Sequence, residues 1–148
     1  MKYITKSITR DFTQKYLIET GTNCAFKFNF YHKKPGLRSR IQILIIASSK
    51  AKVRADATIT ITPTAPRSDA WLEIHVITRD HATVEAAPNL EINNDAVKAG
   101  HALSTKYISE NELFYLMSRG LSRTSAENLM LDGIAAPYRK EGIKLNES

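Results

Sequence analysis

The feature that most constrains this chain is a run of short segments, recurring roughly every 15 residues between Tyr16 and Ile92, in which apolar and polar residues alternate. Segments 25–31, 41–46, 58–62 and 71–77, and a weaker 82–86 leading to 90–92, each put alternate side chains on one face. That period of two is what a half-buried strand requires. Turn-forming residues separate the segments: Pro35-Gly36, Ser48-Ser49-Lys50, Pro63 through Pro66, Arg79-Asp80 and Pro88. No helix-period stretch interrupts them. Such a series predicts a mainly β fold, either strands stacked in a solenoid or strands paired in a sandwich, and periodicity leaves both open. Phe26, Phe28 and Phe30 fall on one face of their segment, so they read as core and not as a base-stacking platform.

After Ser104 the period changes to that of a helix. Ser109-Glu110-Asn111-Glu112 is a capping box, with Ile108 and Leu113 as its hydrophobic staple. Leu113, Leu116 and Met117 share a face, and Gly120 stands where a left-handed C-terminal cap is needed. A second helix is expected from the Ser122 cap, with Ala126, Leu129 and Met130 on its apolar face and Gly133 closing it. Helices this short must pack on the strands or on a partner. The expected organisation is therefore a β core over 1–104, with 1–15 unassigned, a helical segment over 105–136 packed on it, and a frayed, Lys-, Glu- and Asn-rich tail over 137–148.

A length of 148 residues fits a single domain, and 43% hydrophobic with 24% charged residues is an ordinary folding composition. The longest apolar run, 41–47, falls far short of the roughly 20 residues a spanning helix needs. With no signal-like h-region in 1–10, the expectation is a cytoplasmic protein without a membrane contact. Cys24 is the only cysteine, which excludes an internal disulfide and a thiolate cage, and it reads as a small hydrophobe. The net charge of +6 has one local concentration, Lys33, Lys34, Arg38 and Arg40 around Pro35-Gly36, expected to be a solvated turn. Nucleic acid is accordingly a disfavoured partner. His32, His75 and His81 have no ligand-like spacing, and Glu91 and Asp95 flank a turn in which Asn93, Asn94 and Asp95 bond the local backbone. With no glycine-rich phosphate loop, nucleophile elbow or zinc-spaced set, an enzyme is not expected.

The segment Pro88-Asn89-Leu90-Glu91-Ile92, Asp95-Ala96-Val97-Lys98-Ala99-Gly100-His101-Ala102 and Glu112-Leu113-Phe114-Tyr115-Leu116-Met117-Ser118-Arg119-Gly120-Leu121-Ser122 is more specific than a generic strand and helix. It resembles, at fixed spacing, the run that closes the β-helical core of the SufB/SufD family of iron–sulfur cluster assembly proteins. Asp56 through Ile61 and Ser68-Asp69-Ala70 are also similar to that family, so the resemblance covers roughly 55–133, in a shortened, SufD-like form.

The resemblance implies a parallel β-helix of the SufBD kind with short C-terminal helices. It also implies a non-enzymatic scaffold or accessory subunit, one that pairs with a SufB/SufD-type subunit as a homo- or hetero-oligomer and docks a SufC-type ATPase. In such a pairing the histidine of the K-x-x-H segment, here His101, is the cluster-proximal and metal-ligating candidate. Phe114, Tyr115 and Arg119 are the partner-binding candidates. Many relatives have cysteine where this chain has Ala99, and SufB members carry carboxylates where it has Gly100 and Ala102. A lone imidazole is a poor anchor, so no cofactor is expected to be held stably by this chain alone, only a transient iron–sulfur cluster in a complex. Without the resemblance, His101 reads as a surface or capping histidine at a strand-to-helix junction. The alternative function is an interaction module that kept the fold and lost the pathway, a nucleic-acid adaptor using its basic surface.

Overall fold

The computed structural model describes residues 1–146, and within them the alternating segments form two parallel sheets. Strands β1 (Lys2–Ile8), β3 (Cys24–His32), β5 (Lys52–Ile61) and β7 (Thr83–Ile92) make the first, in the order β1-β3-β5-β7. Strands β2 (Phe12–Thr20), β4 (Arg38–Ala47), β6 (Asp69–Thr78), β8 (Lys98–Lys106) and β9 (Ile143–Leu145) make the second, in the order β8-β6-β4-β2-β9. Up to β8, successive strands alternate between the sheets while every pairing is parallel, which is a β-helix and not a sandwich. Pairs such as Cys24↔Val53, Lys52↔Thr83 and Arg38↔Asp69 put equivalent positions one turn apart. The spacing of about 15 residues noted above is thus half a turn.

In-register stacking converts period-two sequence into columns of like residues. Phe26, Phe28 and Phe30 lie inside with no exposed surface, between Ala55, Ala57 and Ile59 on the next strand and Ile41, Ile43 and Ile45 across the interior. Cys24 is half-buried against this core. One corner of the coil is a tight turn in which two consecutive residues have positive φ, Ser49 and Lys50 (56° and 58°) and, one turn later, Asp80 and His81 (55° and 60°). Hydrogen bonds from Ala51 N–H to Ser48 O (3.0 Å) and from Ala82 N–H to Arg79 O (3.2 Å) close both as type I′ turns, and Lys50 N–H to Asp80 O (2.9 Å) stacks them.

The structure departs from the sequence reading at both ends. Residues 1–15, left unassigned, contain all of β1 and the start of β2. They carry Lys2 and Lys6 on inward positions of β1, whose outer edge no further strand covers among the described residues. Strand β7 runs straight through Pro88, which was read as a break. The N–H groups of Thr83 and Asn93 bond β5, so the odd residues of β7 face that neighbour and Pro88 faces the open edge, where a missing N–H costs no ladder bond.

Helix α1 (Glu110–Ser118) starts where expected, with Ser109 Oγ accepting the Glu112 N–H at 3.3 Å. It ends in a Schellman motif, with Leu121 N–H to Leu116 O and Gly120 N–H to Met117 O around Gly120 at φ 101°. Helix α2 (Arg123–Glu141) does not stop at Gly133 and includes Pro137. The tail that was expected to fray from 137 is instead helix and then β9, up to Leu145; residues 147–148 of that expectation lie outside the described residues. The reason is tertiary: Leu131, Ala135 and Tyr138 cover Leu17, Leu44, Ile46 and Ile77 on the outer face of the second sheet. That burial outweighs the Gly133 and Pro137 propensities. Arg139 is forked to Glu19, and Lys15 pairs with Glu141 at 3.1 Å. Among the described residues no helix is long and apolar enough to cross a membrane.

Candidate functional site

The coil is open at its last turn, where the outer edges of β7 and β8 pair with no other strand among the described residues. Lys98 N–H donates to Ser68 O at 2.9 Å, so the even residues of β8 are bonded to β6. The peptide groups of Ala99, His101, Leu103 and Thr105 therefore point to the free edge. On β7 the corresponding free positions include Pro88, which offers no donor. Of the two edges, β8 is the one able to accept another strand along its whole length.

His101 sits inside β8, not at the strand-to-helix junction. It pairs with Leu72, which is wholly buried, and so occupies the inward column of Ile41 and Leu72. His101 is nonetheless exposed because no further turn covers it. Its apolar surroundings at this end are equally uncovered, with Ile92 44% and Leu103 49% exposed. Among the described residues no group of three or more His, Cys, Asp or Glu side chains is placed to hold a metal ion. One imidazole at an open edge supplies one ligand, and Cys24 lies on β3, two strands in from the β7 edge. Any cluster here needs donors beyond these described residues.

The outer face behind His101 holds a network that the sequence reading did not single out. Trp71, Glu73 and His75 alternate along β6. Glu73 Oε1 accepts from Trp71 Nε1 at 2.7 Å, its Oε2 accepts from Gln42 Nε2 at 3.1 Å, and His75 Nε2 lies 3.1 Å from the same Oε2. These bonds, the Trp71 N–H foremost, hold the Glu73 carboxyl below the usual range. His75 Nδ1 bonds Ser104 Oγ on β8, tying the edge strand to its neighbour. The indole of Trp71 lies directly over Gly100, leaving no room for a Cβ there. Gly100 is thus small because Trp71 occupies the space above it. The period-two spacing of Trp71, Glu73 and His75 was visible, but the face they share became evident only with the register.

Of the three partner-binding candidates, Phe114 and Tyr115 lie on α1 and Arg119 is its C-cap. Phe114 is 75% and Tyr115 58% exposed, and the Arg119 guanidinium lies 5.9 Å from the Tyr115 ring centroid. Only Leu113 of this helix is buried. Tyr107, just before the helix, is 81% exposed, so the strand-to-helix connection and α1 together carry three exposed aromatic rings.

His32 is the other notable histidine. It is buried at the end of β3, with Nε2 2.7 Å from Ser39 Oγ and Nδ1 without a partner. Burial lowers its pKa, against the pull of the Asp69 carboxylate. With no surface exposed, it is a core group.

A protein-family model described as the SufBD core domain of SUF-system FeS cluster assembly matches residues 3–134. An iron–sulfur cluster assembly SufBD family protein of Staphylococcus aureus (strain USA300) is 30% identical over 111 residues, 74% of this chain and 24% of the relative. A SufBD family protein of Staphylococcus haemolyticus (strain JCSC1435) matches to the same extent. The chain thus spans about a quarter of the length of these relatives. With the family model covering nearly the whole parallel coil and both helix starts, the chain belongs to the SufBD family.

Proposed function

We propose that this protein is a non-enzymatic accessory subunit of iron–sulfur cluster assembly, pairing with a second SufBD-type subunit through the open edge of β8 and docking a SufC-type ATPase on α1. The observation that carries the reading is the position of His101. It lies on the edge strand with its peptide groups free, its ring in an uncovered inward column, and apolar Leu103 and Ile92 exposed beside it. A strand added from another subunit would satisfy those peptide groups, cover the apolar end and bring foreign side chains to the imidazole. A thiolate among them would complete a cluster edge that this chain cannot build alone. Phe114, Tyr115 and Arg119 supply the aromatic and cationic anchors typical of protein interfaces, which supports docking of the ATPase there.

Cluster reconstitution in the presence of SufB- and SufC-type proteins tests this. His101→Ala is expected to lower the cluster absorbance in the ternary complex and to change nothing with this chain alone. Equal yields with and without His101 would remove the histidine from the cluster. Failure of the chain to co-purify with either partner would remove it from the pathway.

A further inference from the structure

The coil gathers cations that are far apart in sequence. The corner leading from the first sheet to the second is built by residues 9–11, 33–40, 62–69 and 93–98, stacked turn upon turn. It holds Arg10, Lys33, Lys34, Arg38, Arg40, Arg67 and Lys98 against Asp11, Asp69 and Asp95, which is four of the chain's six net positive charges. The opposite corner, 21–23, 48–51 and 79–82, carries Lys50 and Arg79 against Asp80. All the basic-corner cations except Arg40 are exposed, and among the described residues none of those six takes part in a salt bridge.

Two of the three carboxylates of the corner are already engaged. Asp69 is gripped by Arg40 Nη2 at 3.0 Å to both oxygens, and Asp11 Oδ1 accepts the Arg38 backbone N–H at 3.0 Å. Successive turns of a β-helix lie about 4.8 Å apart. Cations on neighbouring turns therefore stand within one Debye length, about 8 Å at physiological salt, and act on a ligand together. The ridge ends in two hollows, one of about 240 Å³ lined by Lys6, Thr9 and Arg10, the other of about 470 Å³ lined by Arg67, Asp95 and Lys98.

From this geometry we propose that the ridge from Arg10 to Lys98 binds an acidic segment or surface of a protein partner. A linear cationic strip could also serve a nucleic-acid strand, but two observations favour protein. Phe26, Phe28 and Phe30 have no exposed surface, the nearby Tyr31 is half-buried with Lys33 Nζ 5.1 Å from its ring centroid, and the partly exposed Trp71 is seated on Gly100, so the corner itself carries no free ring for base stacking. Asp11, Asp69 and Asp95, interleaved with the cations, suit the mixed charges of a protein surface better than an unbroken phosphate chain. The inference is independent of the β8 edge and of the cluster.

Fluorescence anisotropy with a labelled 15-residue poly-glutamate peptide and an oligo-dT of equal charge, each titrated with the full chain at low and at high salt, tests it. The peptide is expected to bind with an affinity that falls with salt, and Lys34→Glu with Arg67→Glu to weaken it by about tenfold, from exposed charge contacts of ordinary strength. Lys50→Glu at the opposite corner is expected to leave it within about twofold of the parent. Tighter binding of oligo-dT than of the peptide would reassign the ridge to nucleic acid. No peptide binding at low salt, or binding indifferent to the double reversal in a variant with unchanged circular dichroism, would reduce the ridge to a solvated face.

Discussion

Gly100→Ala puts a methyl group where the ring of Trp71 now lies. A Cβ built at Gly100 stands 2.8 Å from Trp71 Cε3 and closer still to Cζ3, so the indole must leave its seat. Displacement removes its packing on β8 and the 2.7 Å bond from Nε1 to Glu73. Overpacking of this kind costs about 1–3 kcal/mol, and a lost bond to a charged group about 1.5–3 kcal/mol. Two effects reduce the total: Trp71 is 36% exposed and can rotate into water, and alanine is better than glycine in a strand by about 0.5–1 kcal/mol. The expected net loss is about 1–2 kcal/mol, or about 3–6 °C in Tm for a chain of this size. Trp71 is the sole tryptophan, so urea unfolding followed by fluorescence reads both stability and the indole's surroundings, and a red-shifted native emission is expected. In a Trp71→Ala background, followed by circular dichroism because no tryptophan remains, the same substitution should cost nothing. A Gly100→Ala protein as stable as its parent, with unchanged emission, would refute the account of why this position is glycine.

Further outcomes are expected. Lys50→Gly should be neutral or stabilising by up to about 1 kcal/mol in thermal unfolding, because Lys50 is held at φ 58°, whereas Lys50→Val should destabilise by about 1–2 kcal/mol. His32 has a folded pKa below its unfolded value, so the unfolded chain takes the proton first. The stability His32 provides is complete above the ordinary value near 6.5 and falls as pH drops from there toward the lowered folded value. Denaturant midpoints between pH 7.5 and 5 should show that decline, and His32→Leu should flatten it. Leu131→Ala should cost about 2–4 kcal/mol and speed hydrogen exchange in α2, while Arg139→Ala, whose side chain is 40% exposed, should cost under about 1 kcal/mol. Phe114→Ala with Tyr115→Ala should leave Tm within about 1–2 °C, given their exposure, yet reduce capture by an immobilised SufC-type ATPase.

The sequence was most legible where local chemistry and burial agree. Phe26, Phe28 and Phe30 alternate on a strand paired on both sides, and Ser109 and Gly120 cap a helix at its two ends. It was least legible where a distant contact overrides local preference. Leu131 and Tyr138 carry α2 through Gly133 and Pro137 because Leu44 and Ile77, far away in sequence, need a cover. Pro88 looked like a strand breaker because its harmlessness depends on which side of β7 is paired. His101 could be singled out by resemblance, but its place in the inward column of Leu72 depends on β6–β8 register. Of the basic ridge only the stretch from Lys33 to Arg40 was visible, since stacking alone puts Arg10, Lys34 and Arg67 in one line.

The central claim is that β8 is an edge waiting for another subunit, and a single variant addresses it. Leu103 has its N–H on the free side of β8, the side on which Pro88 stands on β7, so Leu103→Pro removes a donor to an incoming strand without breaking a bond to β6. The decisive measurement is the sedimentation-equilibrium mass of the chain mixed with a SufB-type subunit, for parent and Leu103→Pro proteins of matched circular dichroism. The account requires a one-to-one complex for the parent and separate subunits for the variant. A complex that survives Leu103→Pro unweakened, or a parent that stays monomeric in the mixture at high concentration, would contradict it.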